Sequence, residues 1–86
     1  MSKNFENKRK CLIFRAGHRG TKEMDLILGS FARKHVPGFS EEALEQFEAL
    51  LQENDPDLYN WITGKEETPP EIISPVFEKL RQHKLV

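Results

Sequence analysis

A five-helix, antiparallel, all-α bundle forming a single domain over residues 1–86 is the fold this chain predicts, and three observations predict it. Apolar residues recur at i, i+3, i+4 and i+7 along most of its length, the spacing of a buried helical stripe, and nowhere alternate as strand residues do. Glycine, proline and serine divide that periodic pattern into five segments. A length of 86 residues with 37% hydrophobic and 31% charged side chains suits one soluble core. A core of this size buries only about 60–65% of the unfolded surface, which leaves no room for a deep substrate cavity.

The first helix is expected from Phe5 to about Ala16, with residues 1–4 a flexible end and Gly17 closing it. Cys11, Leu12 and Ile13 line up on it, and a thiol among apolar neighbours with no base partner reads as packing. The second helix runs from about Gly20 to His35, with Gly20, Met24, Ile27, Leu28 and Phe31 on the buried stripe, and Pro37-Gly38 stops it. Ser40 caps the third helix, which carries Glu41 and Glu42 in its first turn, buries Leu44, Phe47, Leu50 and Leu51, and ends near Asn54. Asp55 reads as the next N-cap with Pro56 at the first helical position, where a missing N–H costs nothing. That fourth helix reaches about Thr63, is closed by Gly64, sets Asp57 against its dipole and anchors itself through Leu58, Trp61 and Ile62. Residues 65–70 form a polar connector stiffened by Pro69 and Pro70. The fifth helix spans about Pro70 to His83, with either a kink at Pro75 or a start delayed to Ser74-Pro75, and residues 84–86 form the other flexible end.

Net charge is −1, but its distribution is uneven. Residues 1–22 hold seven basic residues against Glu6 alone, a net +6, and residues 23–86 hold the other six against 13 acidic ones, a net −7. The lone Cys11 can form no internal disulfide, which fits a reducing compartment. His18, His35 and His83 are too far apart in sequence for helical metal-ligand spacing, so no metal is expected. No apolar run approaches the roughly 20 residues of a membrane span, so no membrane insertion is expected. The N-terminus is too polar for a secretory signal, which points to the cytoplasm of a bacterium, or to the mitochondrial matrix after removal of a presequence.

The segment Arg19-Gly20-Thr21-Lys22-Glu23 is the candidate functional element. With a helix beginning at Gly20, Arg19, Glu23 and Leu26 form a second stripe beside the core, two opposite charges and an exposed leucine around bare backbone. Such a surface docks a partner, since glycine lets another backbone approach closely. The ordinary alternatives are a loop glycine and an exposed i, i+4 ion pair contributing only about 0.2–0.5 kcal/mol. Arg15, His18 and Asp25 complete the candidate partner-binding set, and an imidazole at position 18 would make docking pH-sensitive. The partner surface is then expected to be negative around this segment.

These residues also carry a family resemblance. Arg-Gly-x-x-Glu followed by Met24-Asp25-Leu26-Ile27-Leu28 and Phe31-Ala32, then Asp55-Pro56-Asp57-Leu58-Tyr59-Asn60-Trp61 and Pro70-Glu71-Ile72, resembles the succinate dehydrogenase flavinylation factors, from about Lys8 to about Leu80. His18 departs from that pattern, which commonly has another basic residue there. The resemblance implies a non-catalytic assembly factor that binds the flavoprotein subunit of succinate dehydrogenase, and the related fumarate reductase subunit; the chain itself is expected to be a monomer. It implies that FAD is handled by that client, whose own histidine becomes joined to the 8α-methyl of the flavin. No glycine fingerprint for dinucleotides follows a predicted strand, so no tightly bound cofactor is expected on this chain.

A nucleic-acid module using Lys8-Arg9-Lys10 is the main alternative, opposed by the acidic remainder of the chain and by Glu23 and Asp25 on the second helix. An enzyme would need a paired acid and base in a cleft, for which the sequence offers no constellation. A generic helical interaction protein is the third reading.

Overall fold

Five α-helices run through residues 2–83, the part of the chain that the computed structural model describes. They are α1 (Ser2–Ala16), α2 (Lys22–His35), α3 (Glu41–Leu51), α4 (Asp55–Thr63) and α5 (Pro75–Gln82), with a single 3-10 turn at Val36–Gly38. The flexible end expected at 84–86 lies outside the described residues. Four of the helices open on a side-chain cap that accepts the backbone N–H three residues on: Thr21 from Met24, Ser40 from Ala43, Asn54 from Asp57 and Ser74 from Phe77. Each cap satisfies a donor that the first turn leaves without an intrahelical acceptor. Gly64 closes α4 at φ +83°, a conformation other residues rarely adopt.

Several boundaries differ from expectation for local reasons. α1 begins at Ser2 rather than Phe5. α2 begins at Lys22, so Gly20 lies in the loop ahead of it and not on its buried stripe, because Thr21 takes the cap. α3 ends at Leu51 and not near Asn54, which is the cap of α4 in place of Asp55 and leaves Asp55-Pro56 as the first two helical residues. α5 starts at Pro75, where the absent N–H is harmless, so the proline begins the helix and does not kink it.

α1 packs on α2 and α3, α5 on α3, and α4 on α5. The core joins Leu12 and Ala16 of α1 to Met24, Leu28, Phe31 and Ala32 of α2, with Phe47 of α3, Leu58 and Trp61 of α4 and Phe77 of α5 also buried. Phe31 lies at its centre, its ring 5.6 Å from Phe47 and 6.1 Å from Phe39. The expected packing of Cys11 is corrected, since the thiol is exposed. Among residues 6–16 the buried positions of α1 are Leu12 and Ala16, four apart, and Cys11 is rotated about 100° from the first of them. Gly29 is buried where α2 passes the end of α1, and a Cβ there would lie 3.3 Å from the Gly17 Cα, so the close approach of the two helices requires it.

His35 and His83 flank Phe31 with ring centroids 6.0 Å apart, and His83 Nε2 is 2.8 Å from the Ser30 hydroxyl. Burial, then the charges of Lys79, Lys34 and His83, lower the His35 pKa, and burial followed by Lys34 lowers that of His83. The unfolded chain therefore takes up protons at these histidines before the folded one does. Stability is greatest above the ordinary value of about 6.5 and falls as pH drops below it. Thermal melts between pH 7.5 and 5.5 should show that decline, and His83→Gln should reduce its slope.

Candidate functional site

The loop between α1 and α2, residues 17–21, is fastened at every backbone N–H. Gly17 donates to the Ile13 and Phe14 carbonyls and His18 to the Arg15 carbonyl, continuing the end of α1. The Arg19 N–H donates to the Asp25 carboxylate in the first turn of α2. Gly20 and Thr21 both donate to Asp55 Oδ2, at 2.8 and 3.2 Å. One carboxylate, 34 and 35 residues away in sequence, thus fixes two consecutive amides of the loop.

Arg19 completes the fastening from the other side. Its Nε donates to Asp55 Oδ1 at 2.7 Å, Nη1 to the Leu51 carbonyl at 2.8 Å and Nη2 to the Glu53 carbonyl at 2.7 Å. The Arg19 and Asp55 side chains are only 12% and 9% exposed. The guanidinium fork therefore ties the α1–α2 loop to the end of α3 and the start of α4, using a planar donor array that lysine lacks. This corrects the expectation that Arg19 and Glu23 share a docking stripe of the second helix, and with it the alternative of an i, i+4 ion pair between them. Arg19 precedes the helix, and its counter-ion is Asp55.

The candidate residues consequently separate into two groups. Arg19 and Asp25 are directed into the fold, while Arg15, His18, Gly20, Glu23 and Leu26 are exposed. Asp55 lies between two hollows. One of about 460 Å³ is lined by Phe14, Arg15, His18 and Gly20, and one of about 240 Å³ by Thr21, Glu23, Pro56 and Tyr59. A Cβ at Gly20 would lie 3.2 Å from Asp55 Oδ2, so any larger residue presses on the ion pair.

Sequence reasoning missed Asp55 and Phe14. In sequence Asp55 reads as a cap, marked otherwise only by its adjacency to Pro56 in a family-like motif, while Phe14 offers no signal beyond lying about 200° around α1 from Leu12. Part of the basic N-terminal charge is also spent internally: Lys8 pairs with Glu48 at 3.0 Å, Arg9 donates to the Phe39 carbonyl and Arg19 pairs with Asp55. That leaves the nucleic-acid reading with fewer free cations. Among the described residues, no group of three or more His, Cys, Asp or Glu could hold a metal ion, and no helix is long and apolar enough to cross a membrane.

A family model described as flavinator of succinate dehydrogenase matches residues 10–84. The chain is 40% identical over 78 residues to the mitochondrial succinate dehydrogenase assembly factor 2 of Dictyostelium discoideum, a match covering 91% of this chain and 55% of that protein. It is 39% identical over 70 residues to the protein of the same name from Candida glabrata, covering 81% and 46%. Against the FAD assembly factor SdhE of Acetobacter pasteurianus it is 34% identical over 77 residues, covering 90% and 71%. The chain spans about half the length of the mitochondrial relatives it matches.

Proposed function

The chain belongs to the family of flavinators of succinate dehydrogenase, and from that membership we propose that it is a non-catalytic assembly factor that docks on the flavoprotein subunit of succinate dehydrogenase. In this reading it also serves the related fumarate reductase subunit, and it promotes covalent attachment of FAD to a histidine of its client. The family match over residues 10–84 is the observation that carries the proposal, and the fully fastened 17–21 loop supports this loop as the docking surface. A loop already held in one conformation loses little freedom on binding, so more of its contact energy remains as affinity.

Chemistry then belongs to the client, which holds the flavin and supplies the histidine. The factor's contribution is differential binding: a rigid surface favours the client conformation in which the histidine and the flavin methyl are aligned, and alignment of reacting groups can remove several kcal/mol from a barrier. The place of action is the bacterial cytoplasm or the mitochondrial matrix, in keeping with relatives of both kinds.

Co-expression with the flavoprotein subunit, in a host lacking its own factor, tests the proposal. Flavin fluorescence should survive denaturing electrophoresis at the position of the subunit only when the chain is present. Equal fluorescence with and without the chain would contradict it.

A further inference from the structure

Phe14 is 64% exposed, the most exposed large apolar side chain among the described residues. Its ring nevertheless has a fixed orientation, stacked on His18 with centroids 4.0 Å apart and planes 21° from parallel. The imidazole is fastened in turn, since its Nδ1 lies 2.7 Å from the Phe14 carbonyl oxygen. A carbonyl only accepts, so Nδ1 donates, and in the neutral ring Nε2 is an acceptor.

Arg15 stands beside this stack on the rim of the 460 Å³ hollow. It is exposed and makes no ion pair among the described residues, unlike Lys8 and Arg19. Asp55, the acid bordering the hollow, already accepts from Arg19, Gly20 and Thr21, so its charge is matched within the fold. The uncompensated charge of the hollow is therefore positive, and its rim is aromatic. A carboxylate next to an apolar side chain complements both features.

We propose that, in the complex with the flavoprotein subunit inferred above and resting on that reading, this hollow receives an acidic side chain of the subunit. Its carboxylate lies on Arg15, and a neighbouring apolar residue covers the Phe14 ring. Arg15 supplies charge complementarity, and Phe14 supplies the apolar contact that a salt-screened pair alone lacks.

Titration calorimetry of the full chain against the purified flavoprotein subunit, at several salt concentrations, separates the two roles. Arg15→Gln should weaken binding about tenfold at low salt and flatten its dependence on salt, while Phe14→Ala should weaken it about tenfold at every salt concentration. Arg15→Lys should restore the salt dependence, and all three variants should melt as wild type does because both side chains are exposed. Variants that bind with wild-type affinity and salt slope, against a wild type that binds, would overturn this inference and leave the assembly-factor reading intact. A wild type that fails to bind the subunit would overturn both.

Discussion

Arg19→Ala should lower the free energy of unfolding by about 3–5 kcal/mol, the cost of leaving one member of a buried ion pair without its partner. Domains of this kind have only about 5–15 kcal/mol in total, so the variant is expected to be partly unfolded at physiological temperature. The loss follows from geometry: the guanidinium serves Asp55 and the carbonyls of Leu51 and Glu53, and its removal leaves the 9%-exposed Asp55 carboxylate with only two amide donors. Arg19→Lys should recover only part of the stability, because an ammonium cannot reproduce three diverging donors. Glu23→Ala, at an exposed position, should leave the melt nearly unchanged. Urea denaturation of the three variants checks this, and a wild-type midpoint for Arg19→Ala would refute the structural role assigned to the arginine.

Trp61→Ala should cost a similar amount, about 3–5 kcal/mol, as is usual for truncating a buried large aromatic. Trp61 is buried with Leu58 on the inner face of α4, and the first turn of that helix carries Asp55. A loosened α4 therefore releases the 17–21 loop as well, and under the proposed function flavinylation should fail as a consequence of lost folding. Circular dichroism with a pull-down on the flavoprotein subunit distinguishes the cases. A well-folded Trp61→Ala that no longer binds would place the tryptophan in the docking surface instead.

What could be read from the sequence was mainly what neighbouring residues decide. Ser40 caps α3, Gly64 closes α4, and the apolar faces Leu44-Phe47-Leu50-Leu51 and Leu58-Trp61 are buried as their spacing requires. The delayed start at Ser74-Pro75 was one of two local possibilities, and the serine cap selected it. Arg19 escaped this kind of reading because its partners lie 32 to 36 residues away. Helical spacing placed it beside Glu23, whereas a side chain in a loop is free to turn across the bundle toward the backbone carbonyls at the end of α3. Cys11 and Phe14 show the same limit on α1, a helix rich in long basic side chains, where among residues 6–16 only Leu12 and Ala16 are fully buried.

Hydrogen exchange at the Gly20 and Thr21 amides tests most directly the claim that Asp55 holds the loop in its docking conformation before any partner arrives. In the isolated wild-type chain these two amides should exchange as slowly as those in the first turns of α2, since both donate to a buried carboxylate. In Arg19→Lys, measured under conditions where it remains folded, they should exchange faster while the α3 core amides stay protected. Free-peptide exchange rates at Gly20 and Thr21 in the wild type would contradict the account, because the loop would then be ordered only by its client.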